Sequence, residues 1–314
     1  MNRVYGVLGI QSIMANWNAD FTGYPKTTSD GSIFGSDKAL KFPMKKMWDN
    51  EGQKVLYIKS YRFLEGKKGE TALVPRSLKE RYENVFGIPN LKDCKSTKEV
   101  LENLFQAVDV KNFGATFAEE GNNISITGAV QIGQGFNRYD KSEAQEQSIL
   151  SPFRDASQDG KKEVAKNSTL GSKIVSDEAH YFYPFTINPL AYKEYQELGV
   201  TEGYTQEDYQ LFKKTALVAA TAFATNSKVG CENEFGLFIE CEETLYLPNL
   251  SEYIQFEKGN GEEKNKIILT CGQLLDGVSQ RIKSIEIYFN PYTTEVECGY
   301  EDIAYYNIFT QKEV

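Results

Sequence analysis

The order of strand-like and helix-like segments before residue 133 limits the folds that this chain of 314 residues can adopt. Apolar residues in alternation predict strands, whereas apolar residues spaced three and four apart predict helices. In chain order, the pattern predicts a strand at Val4–Met14, a helix carrying Leu40, Met44, Met47 and Trp48, a strand at Val55–Leu64, a helix at Thr97–Val108, and strands at Phe113–Phe117 and Ile124–Ile132. This mixture indicates an α+β fold.

The order β, α, β, α, β, β resembles a ferredoxin-like or RNA-recognition-motif core with insertions. A further strong helix is predicted at Gln206–Ser227. Since we find no internal repeat and no separable second domain, we predict one domain over residues 1–314. Residues 137–185 are predicted to form an inserted arm, which is polar around a small apolar group of Ile149, Leu150 and Phe153.

Charge is distributed unevenly along the chain. The formal net charge is -9, yet residues 37–81 hold twelve Lys or Arg against six Asp or Glu, while residues 231–314 hold six against sixteen. A polyanion repels a protein of this net charge unless the cations gather on one surface. The segregation therefore predicts a basic surface that a nucleic acid can follow.

The basic residues begin on one face of the predicted lysine helix. Its positive side chains recur at helical spacing: Lys38, Lys41, Lys45 and Lys46. The opposite stripe is apolar, so one face packs and the other either binds phosphates or is simply solvated. Ser36 or Asp37 can cap the helix, and Pro43 predicts either a kink or a later start at Pro43 itself.

The remaining composition excludes several classes of site. The five cysteines form no C-x-x-C pair and are odd in number, which predicts reduced structural thiols rather than a zinc site or a disulfide framework. His180 is the single histidine and is predicted to be structural. We predict no metal and no cofactor. Because no run approaches the roughly 18 apolar residues of a membrane span, and no signal-peptide pattern opens the chain, we expect a cytoplasmic protein without membrane contact.

Several stretches, taken in order, resemble the repeated backbone subunit of type I CRISPR Cascade complexes, the Cas seven superfamily, most closely the subtype I-B form. The stretches are Asn16-Trp-Asn-Ala-Asp20, Gly31-Ser-Ile-Phe-Gly-Ser-Asp-Lys38, Asp109-Val-Lys-Asn-Phe-Gly114, Gly128-Ala-Val-Gln-Ile132 with Gly135-Phe-Asn-Arg138, and the small-residue helix near Ala216–Ala224. The likeness covers roughly the first 230 residues. The chain departs from it between Asn16 and Asn18, where many relatives have proline, and at Pro43.

The resemblance implies a palm with an RNA-recognition-like fold, a projecting β-hairpin thumb, and a head-to-tail filament of copies wound along a CRISPR RNA. It implies contacts with other Cascade subunits and with target DNA that pairs with the guide. A subunit that holds guides of any sequence must contact phosphate and sugar rather than base edges, and lysines on a helix supply such contacts.

The candidate RNA-binding residues are Asn16, Asn18, Lys38, Lys41, Lys45, Lys46, Gln131, Gly133, Gln134 and Arg138. The segment Gln131–Gly135 either admits a sugar-phosphate backbone or is a plain glycine-rich turn. Arg138 either pairs with a phosphate or forms a surface ion pair, and Phe136 either stacks on a base or belongs to the core. The apolar group at Ile149, Leu150 and Phe153 interrupts base stacking, packs on the neighbouring copy, or simply anchors the arm to its own palm.

An enzymatic alternative remains at this stage. Backbone subunits of the related type III complexes use an aspartate in the loop before the first helix for metal-dependent cleavage of target RNA, and this chain has Asp20 and Asp30 in that loop. Their surroundings differ from the type III pattern, and isolated loop carboxylates are usually turn residues. We therefore predict that the protein is not an enzyme.

Overall fold

A computed structural model describes residues 1–66, 70–94, 96–150 and 170–314, and Phe153 of the predicted arm lies outside these ranges. The strands are β1 (Arg3–Ala15), β2 (Phe34–Gly35), β3 (Tyr61–Glu65), β4 (Thr71–Pro75), β5 (Gly114–Phe117), β6 (Ile124–Thr127), β7 (Val130–Ile132), β8 (Gly135–Asn137), β9 (Ala144–Leu150), β10 (Leu170–Ile187), β11 (Cys231–Cys241), β12 (Ile254–Glu257), β13 (Asn265–Leu269), β14 (Ile282–Phe289), β15 (Thr294–Cys298) and β16 (Ala304–Asn307). The α-helices are α1 (Asp37–Asn50), α2 (Leu78–Phe86), α3 (Thr97–Leu104), α4 (Val108–Phe113), α5 (Lys193–Glu197), α6 (Gln206–Ala216), α7 (Ala219–Ala222) and α8 (Gly272–Asp276). None of the helices in these ranges is long and apolar enough to cross a membrane.

Within the described ranges, nine strands form the main sheet, in the order β16-β14-β11-β1-β10-β8-β2, and β7 and β9 also pair with β10. Strand β1 lies between β10 and β11 and is antiparallel to both. Its side chains alternate between two cores because successive residues of a strand point to opposite faces. Val4 and Leu8 belong to the core that contains α1 and α6, whereas Tyr5 and Val7 belong to the core beneath β12, β13 and β15.

Helix α1 follows the predicted apolar stripe. Leu40, Met44 and Trp48 are buried, and the Ser36 side chain caps the helix by accepting a hydrogen bond from the N–H of Ala39. The helix begins at Asp37 and continues through Pro43, so it does not start at the proline. Pro43 is itself buried.

Two predicted strands lie outside the main sheet. The strand predicted at Val55–Leu64 is limited to β3, which pairs only with β4. The strand predicted at Phe113–Phe117 corresponds to β5, which pairs only with β6. The mixed architecture is as predicted, but β1 is joined in the main sheet by β2 and by strands from residue 130 onward rather than by these two hairpins.

Two predicted helices are shorter in the structure, and a long-range contact lies near each break. The helix predicted at Thr97–Val108 ends at Leu104, and the N–H of Val108 bonds to the carbonyl of Lys54 at 2.8 Å before α4 begins. The helix predicted at Gln206–Ser227 is divided into α6 and α7. At the break, the Asn233 side chain donates to the carbonyl of Ala216 and accepts from the N–H of Ala220, at 2.8 and 2.9 Å.

The range 137–185 contains a β-hairpin and a central strand. Residues 144–150 of β9 pair with residues 170–176 of β10. Strand β10 then continues into the main sheet, where Ser176 to Ile187 pair with β1. The hairpin is therefore an extension of a core strand.

Candidate nucleic-acid interface

The pairing of β2 with β8 brings together two of the predicted RNA-binding groups. Phe34 lies opposite Phe136, and Gly35 lies opposite Gly135. Because α1 starts directly after β2, its first turn lies next to the glycine-rich segment that ends in β8. A side chain at either glycine would collide with Tyr183, so both glycines are needed for the close packing of this sheet edge.

The four predicted lysines differ in what their ammonium groups contact. Lys38 is exposed. Lys41 pairs with Asp37 at 2.9 Å and Lys46 pairs with Asp49 at 3.2 Å, both along the helix. Lys45 instead donates to a backbone carbonyl at 2.8 Å, and burial lowers the pKa of this lysine.

The interaction of Lys45 belongs to a cluster of hydrogen bonds around Tyr57 that includes the buried Asp109. Lys45 donates to the carbonyl of Tyr57, while Asp109 accepts from the N–H groups of Leu56 and Tyr57 at 2.8 and 2.7 Å. Burial raises the pKa of Asp109, although these hydrogen bonds and the nearby Lys45 oppose the shift. These contacts hold the segment at residues 56–57 against α1 and α4.

Asn16 and Asn18 shape the loop that precedes α1. The Asn16 side chain is buried and donates to the carbonyls of Gly23 and Ile174, at 2.8 and 3.2 Å. Since Ile174 lies in β10, Asn16 ties the loop to the base of the hairpin. The Asn18 side chain accepts a 2.8 Å hydrogen bond from the N–H of Ser36, the cap of α1. Contact of either asparagine with RNA stays a prediction.

Gln131 and Gly133 line a cleft of about 350 Å³ between the main sheet and residues 247–250. Its walls are mostly apolar and include Tyr5 and Pro184. The Gln131 side chain is exposed and donates to the carbonyl of Gly128 at 2.8 Å. Gln134 is also exposed. A Cβ at position 133 would lie 2.8 Å from the ring of Pro184, so the glycine allows the turn between β7 and β8 to lie close to β10.

Arg138 and Phe136 are engaged within the protein. The Arg138 guanidinium donates to the carbonyl of Ser251 at 2.9 Å and pairs with Glu252 at 3.2 Å. The Phe136 ring packs against Phe34 with their centroids 5.9 Å apart. Contact of Arg138 with a phosphate and stacking of Phe136 on a base stay predictions.

The hairpin of β9 and β10 presents apolar side chains to solvent. Ile149 is 46% exposed and Leu150 is 68% exposed. The base of the hairpin is fixed to the loop before α1, because the Tyr24 hydroxyl donates to Glu146 at 3.2 Å in addition to the Asn16 contact.

Asp20 and Asp30 are turn residues in the structure. Asp20 accepts from the N–H and hydroxyl of Thr22 at 2.8 and 2.7 Å, which lowers the pKa of this exposed carboxyl. Asp30 accepts from the hydroxyl of Thr28 and the N–H of Ser32, with the same effect on its pKa. Within the described ranges, no three His, Cys, Asp or Glu side chains are grouped so as to hold a metal ion.

His180 lies buried in an ion-pair network beneath the C-terminal sheet. Its ring nitrogens are 2.8 Å from Glu234 and 3.0 Å from Glu178, and its ring stacks on Phe256 at 3.8 Å. Burial alone would lower the pKa of His180, but the two carboxylates outweigh it and raise that pKa to about 9. Lys258 also pairs with Glu178, so the network joins β10 to the segment after β12.

Residues of the segment Asp109–Gly114, one of the stretches that carry the family resemblance, make contacts within the protein. Lys111 pairs with Asp208 at 2.8 Å, Asn112 accepts from the Tyr204 hydroxyl at 2.7 Å, and the Phe113 ring lies under the Lys41 ammonium at 5.1 Å. Gly114 has φ of 83°, a conformation that favours glycine.

The family model described as CRISPR-associated protein Cas7 matches residues 2–269, which is most of the chain. The chain belongs to the Cas7 family. The match ends after β13, so α8 and β14–β16 of this Cas7 protein lie beyond it.

Solved structures give a likeness of fold. A chain of a "CRISPR RNA-guided surveillance complex, pre-nicking" is similar with a TM-score of 0.52 at 13% identity, over 95% of this chain and 96% of that chain. A chain of a second "CRISPR RNA-guided surveillance complex" has a TM-score of 0.45 at 12% identity, over 92% and 91%. No curated protein sequence matches the chain significantly.

Proposed function

We propose that this Cas7 protein is the CRISPR RNA-binding backbone subunit of a type I, subtype I-B-like Cascade complex. Copies assemble head to tail along the guide RNA, together with other Cascade subunits, and present the guide for pairing with target DNA in the cytoplasm. The subunit is not catalytic and needs no cofactor. The observation that carries the proposal is the Cas7 family match over residues 2–269.

The order of the four central strands supports an RNA-recognition-like palm. Strands β11, β1, β10 and β8 are neighbours, α1 lies between β1 and β8 in the chain, and α6 lies between β10 and β11. This is the βαββαβ connection of ferredoxin-like folds. Since α1 and α6 contribute to the same core, both crossovers lie on one face of the sheet.

The hairpin of β9 and β10 supports the thumb. It extends beyond the main sheet, all the residues of β9 are exposed, and its outer part carries Ile149 and Leu150. Exposed aliphatic side chains on a polar hairpin are suited to insert between bases or to pack on a neighbouring copy.

The distribution of charge supports sequence-independent binding and head-to-tail assembly. The exposed Lys38 lies at the first turn of α1, beside the β2–β8 edge where Gln134 is also exposed. A basic surface there contacts phosphates and leaves the bases free to pair. A basic N-terminal part on one copy and the acidic C-terminal third of the next copy have complementary charge, which suits a head-to-tail contact, and such contacts generate an open helix when the rotation between copies does not close.

The test is whether the purified protein carries a discrete small RNA. We expect a high ratio of absorbance at 260 nm to that at 280 nm and a defined band on a denaturing gel. Added to guides of increasing length, RNA-free protein should form complexes whose mass rises in steps of one subunit. A protein that is free of RNA after purification, and that binds long guides as a single monomer, would contradict the proposal.

A further inference from the structure

Two of the five cysteines lie next to each other in the C-terminal three-stranded sheet. Strands β13 and β15 are parallel, with Leu269 opposite Cys298 at the end of both strands. Cys271 follows β13 after one intervening residue and is 1% exposed, whereas Cys298 is only partly buried. One thiol is therefore enclosed by the core, while its neighbour is within reach of solvent.

A close approach of two glycines holds the two chain segments together at this point. Gly272 directly follows Cys271, and Gly299 directly follows Cys298. A Cβ built on Gly272 would lie 2.6 Å from the carbonyl oxygen and 3.1 Å from the Cα of Gly299. Such contacts are closer than any real side chain allows, so only glycine at position 272 permits this backbone separation.

The two thiols also interact. The Cys271 thiol beside Cys298 lowers the pKa of Cys298, while the Cys298 thiol and burial raise the pKa of Cys271. Burial instead raises the pKa of each of the other three thiols, those of Cys94, Cys231 and Cys241. A partly exposed thiolate beside a second thiol is the arrangement that oxidants attack selectively.

We propose that Cys271 and Cys298 form an oxidation site, in which a hydroperoxide converts the free dithiol into an intramolecular disulfide. The Cys298 thiolate attacks one peroxide oxygen, the O–O bond breaks, and the leaving oxygen takes up a proton, so that Cys298 becomes a sulfenic acid. The Cys271 thiol then attacks the Cys298 sulfur, the S–O bond breaks, and water leaves as the S–S bond forms. The peroxide gains the two electrons that the thiols lose, and a dithiol reductant reverses the change.

The disulfide would close a loop of residues 271–298, which connects the C-terminal sheet to the main sheet. The chain between the two cysteines contains α8 and β14, and β14 pairs with β11 and β16 in the main sheet. Closing this loop restricts the unfolded chain, so the oxidised protein should be the more stable form.

The reduced full-length protein is treated with hydrogen peroxide while folded, then unfolded in urea with N-ethylmaleimide so that every remaining thiol is alkylated, and digested without reduction for mass spectrometry. We expect one cross-linked peptide pair joining Cys271 to Cys298, which dithiothreitol removes, and alkylated Cys94, Cys231 and Cys241. The oxidised protein should melt a few degrees higher. Cys298→Ser should abolish the cross-link, and Cys271→Ser should leave a sulfenic acid on Cys298 that dimedone labels.

Two glycine variants form a matched pair that tests the positioning. Gly272→Ala places a methyl group against the Gly299 carbonyl and should slow disulfide formation at least several-fold without changing either thiol. Gly299→Ala has nothing within 4 Å of the added methyl group and should oxidise like the wild type. Full alkylation of Cys271 and Cys298 after peroxide treatment of the folded protein would overturn the proposal. Equal cross-linking among all five cysteines would overturn it as well.

Discussion

The ammonium group of Lys45 donates a 2.8 Å hydrogen bond to the backbone carbonyl of Tyr57, in the segment that follows α1. Lys45 therefore stabilises the fold, although its spacing along α1 places it with the lysines predicted to bind RNA. Lys41 and Lys46 have acidic partners on the same helix, whereas Lys38 is exposed. Substitutions of these lysines should therefore have different effects: those at Lys38 on RNA binding, and those at Lys45 on the stability of the fold.

Lys38→Glu should weaken binding to single-stranded RNA of any sequence. If Lys38 neutralises one phosphate, the slope of log K against log salt should fall by about 0.7. Lys98→Glu is the matched control, because Lys98 also occupies the second position of a helix with a serine cap, α3. Fluorescence anisotropy over a salt series measures both variants. Equal slopes for Lys38→Glu and the wild type would show that Lys38 does not contact the RNA.

Lys45→Met should destabilise the protein, because the Tyr57 carbonyl loses its donor and Asp109 loses a nearby cation. We expect the free energy of unfolding to fall by about 1–3 kcal/mol, measured by urea denaturation. Lys38→Met, at an exposed position, should change it by less than about 0.5 kcal/mol. An unchanged stability of Lys45→Met combined with lower RNA affinity would instead assign Lys45 to the RNA surface.

The His180 network should make stability depend on pH at both extremes. The folded pKa of His180, about 9, lies above its ordinary 6.5, so its contribution is complete below pH 6.5 and is lost as the pH rises through 9. The hydrogen bond from His180 and burial act on Glu178 in opposite directions, and with Lys258 the net result lowers its pKa from 4.5 to about 2. The contribution of Glu178 to the free energy of unfolding is therefore complete above pH 4.5 and is lost as the pH falls through 2.

His180→Gln tests this dependence, because the amide can occupy the site without a charge. The wild type should lose about 3 kcal/mol of stability between pH 6.5 and 9 through His180. The free energy of unfolding of His180→Gln should not show this loss between pH 6.5 and 9. Urea denaturation at a series of pH values gives the difference between the two proteins, and parallel curves would refute the assignment of the charge to His180.

Asp20→Ala and Asp30→Ala should leave RNA cleavage unchanged at the background level. Both carboxylates accept hydrogen bonds within their own turns, and the lowered pKa of each makes it a poor general base. The assay incubates the assembled protein with guide-complementary RNA and Mg²⁺ or Mn²⁺. Reproducible cutting that disappears in either variant would replace the binding function with a nuclease.

The spacing of apolar and charged residues predicted the features that arise between residues close in the sequence. The buried stripe of α1 follows from helical spacing, and the pairs Asp37–Lys41 and Lys46–Asp49 could have been predicted from the same spacing. The family likeness came from the order of short stretches; the match over residues 2–269 confirms the Cas7 family, while the subtype I-B form stays a prediction.

Where the structure differs from the prediction, contacts between residues far apart in the sequence explain the difference. Residues 55–60 contain strand-forming side chains, but Asp109 binds the N–H groups of Leu56 and Tyr57 and keeps them out of a strand. Asn233 similarly interrupts the long helix at Ala216. Neither partner is near in sequence, so no local pattern could reveal the bond.

Leu150→Ser should shorten the assemblies that form on RNA without changing the stability of the subunit. Leu150 is 68% exposed on β9, so its replacement should alter the free energy of unfolding by less than about 0.5 kcal/mol. If the hairpin crosses the RNA and contacts the next copy, loss of this apolar group weakens each junction, and the effect accumulates along the filament. Native mass measurement on a fixed guide gives the number of subunits bound.

Leu198→Ser is the matched control for this experiment, because Leu198 is 58% exposed at the end of α5, away from the hairpin strands. It should leave both the melting temperature and the assembly length at wild-type values. A fall in the melting temperature of Leu150→Ser would mean that Leu150 anchors the hairpin to its own palm. Full-length assemblies with an unchanged melting temperature would overturn the prediction, because they would show that Leu150 does not stabilise the junction between copies.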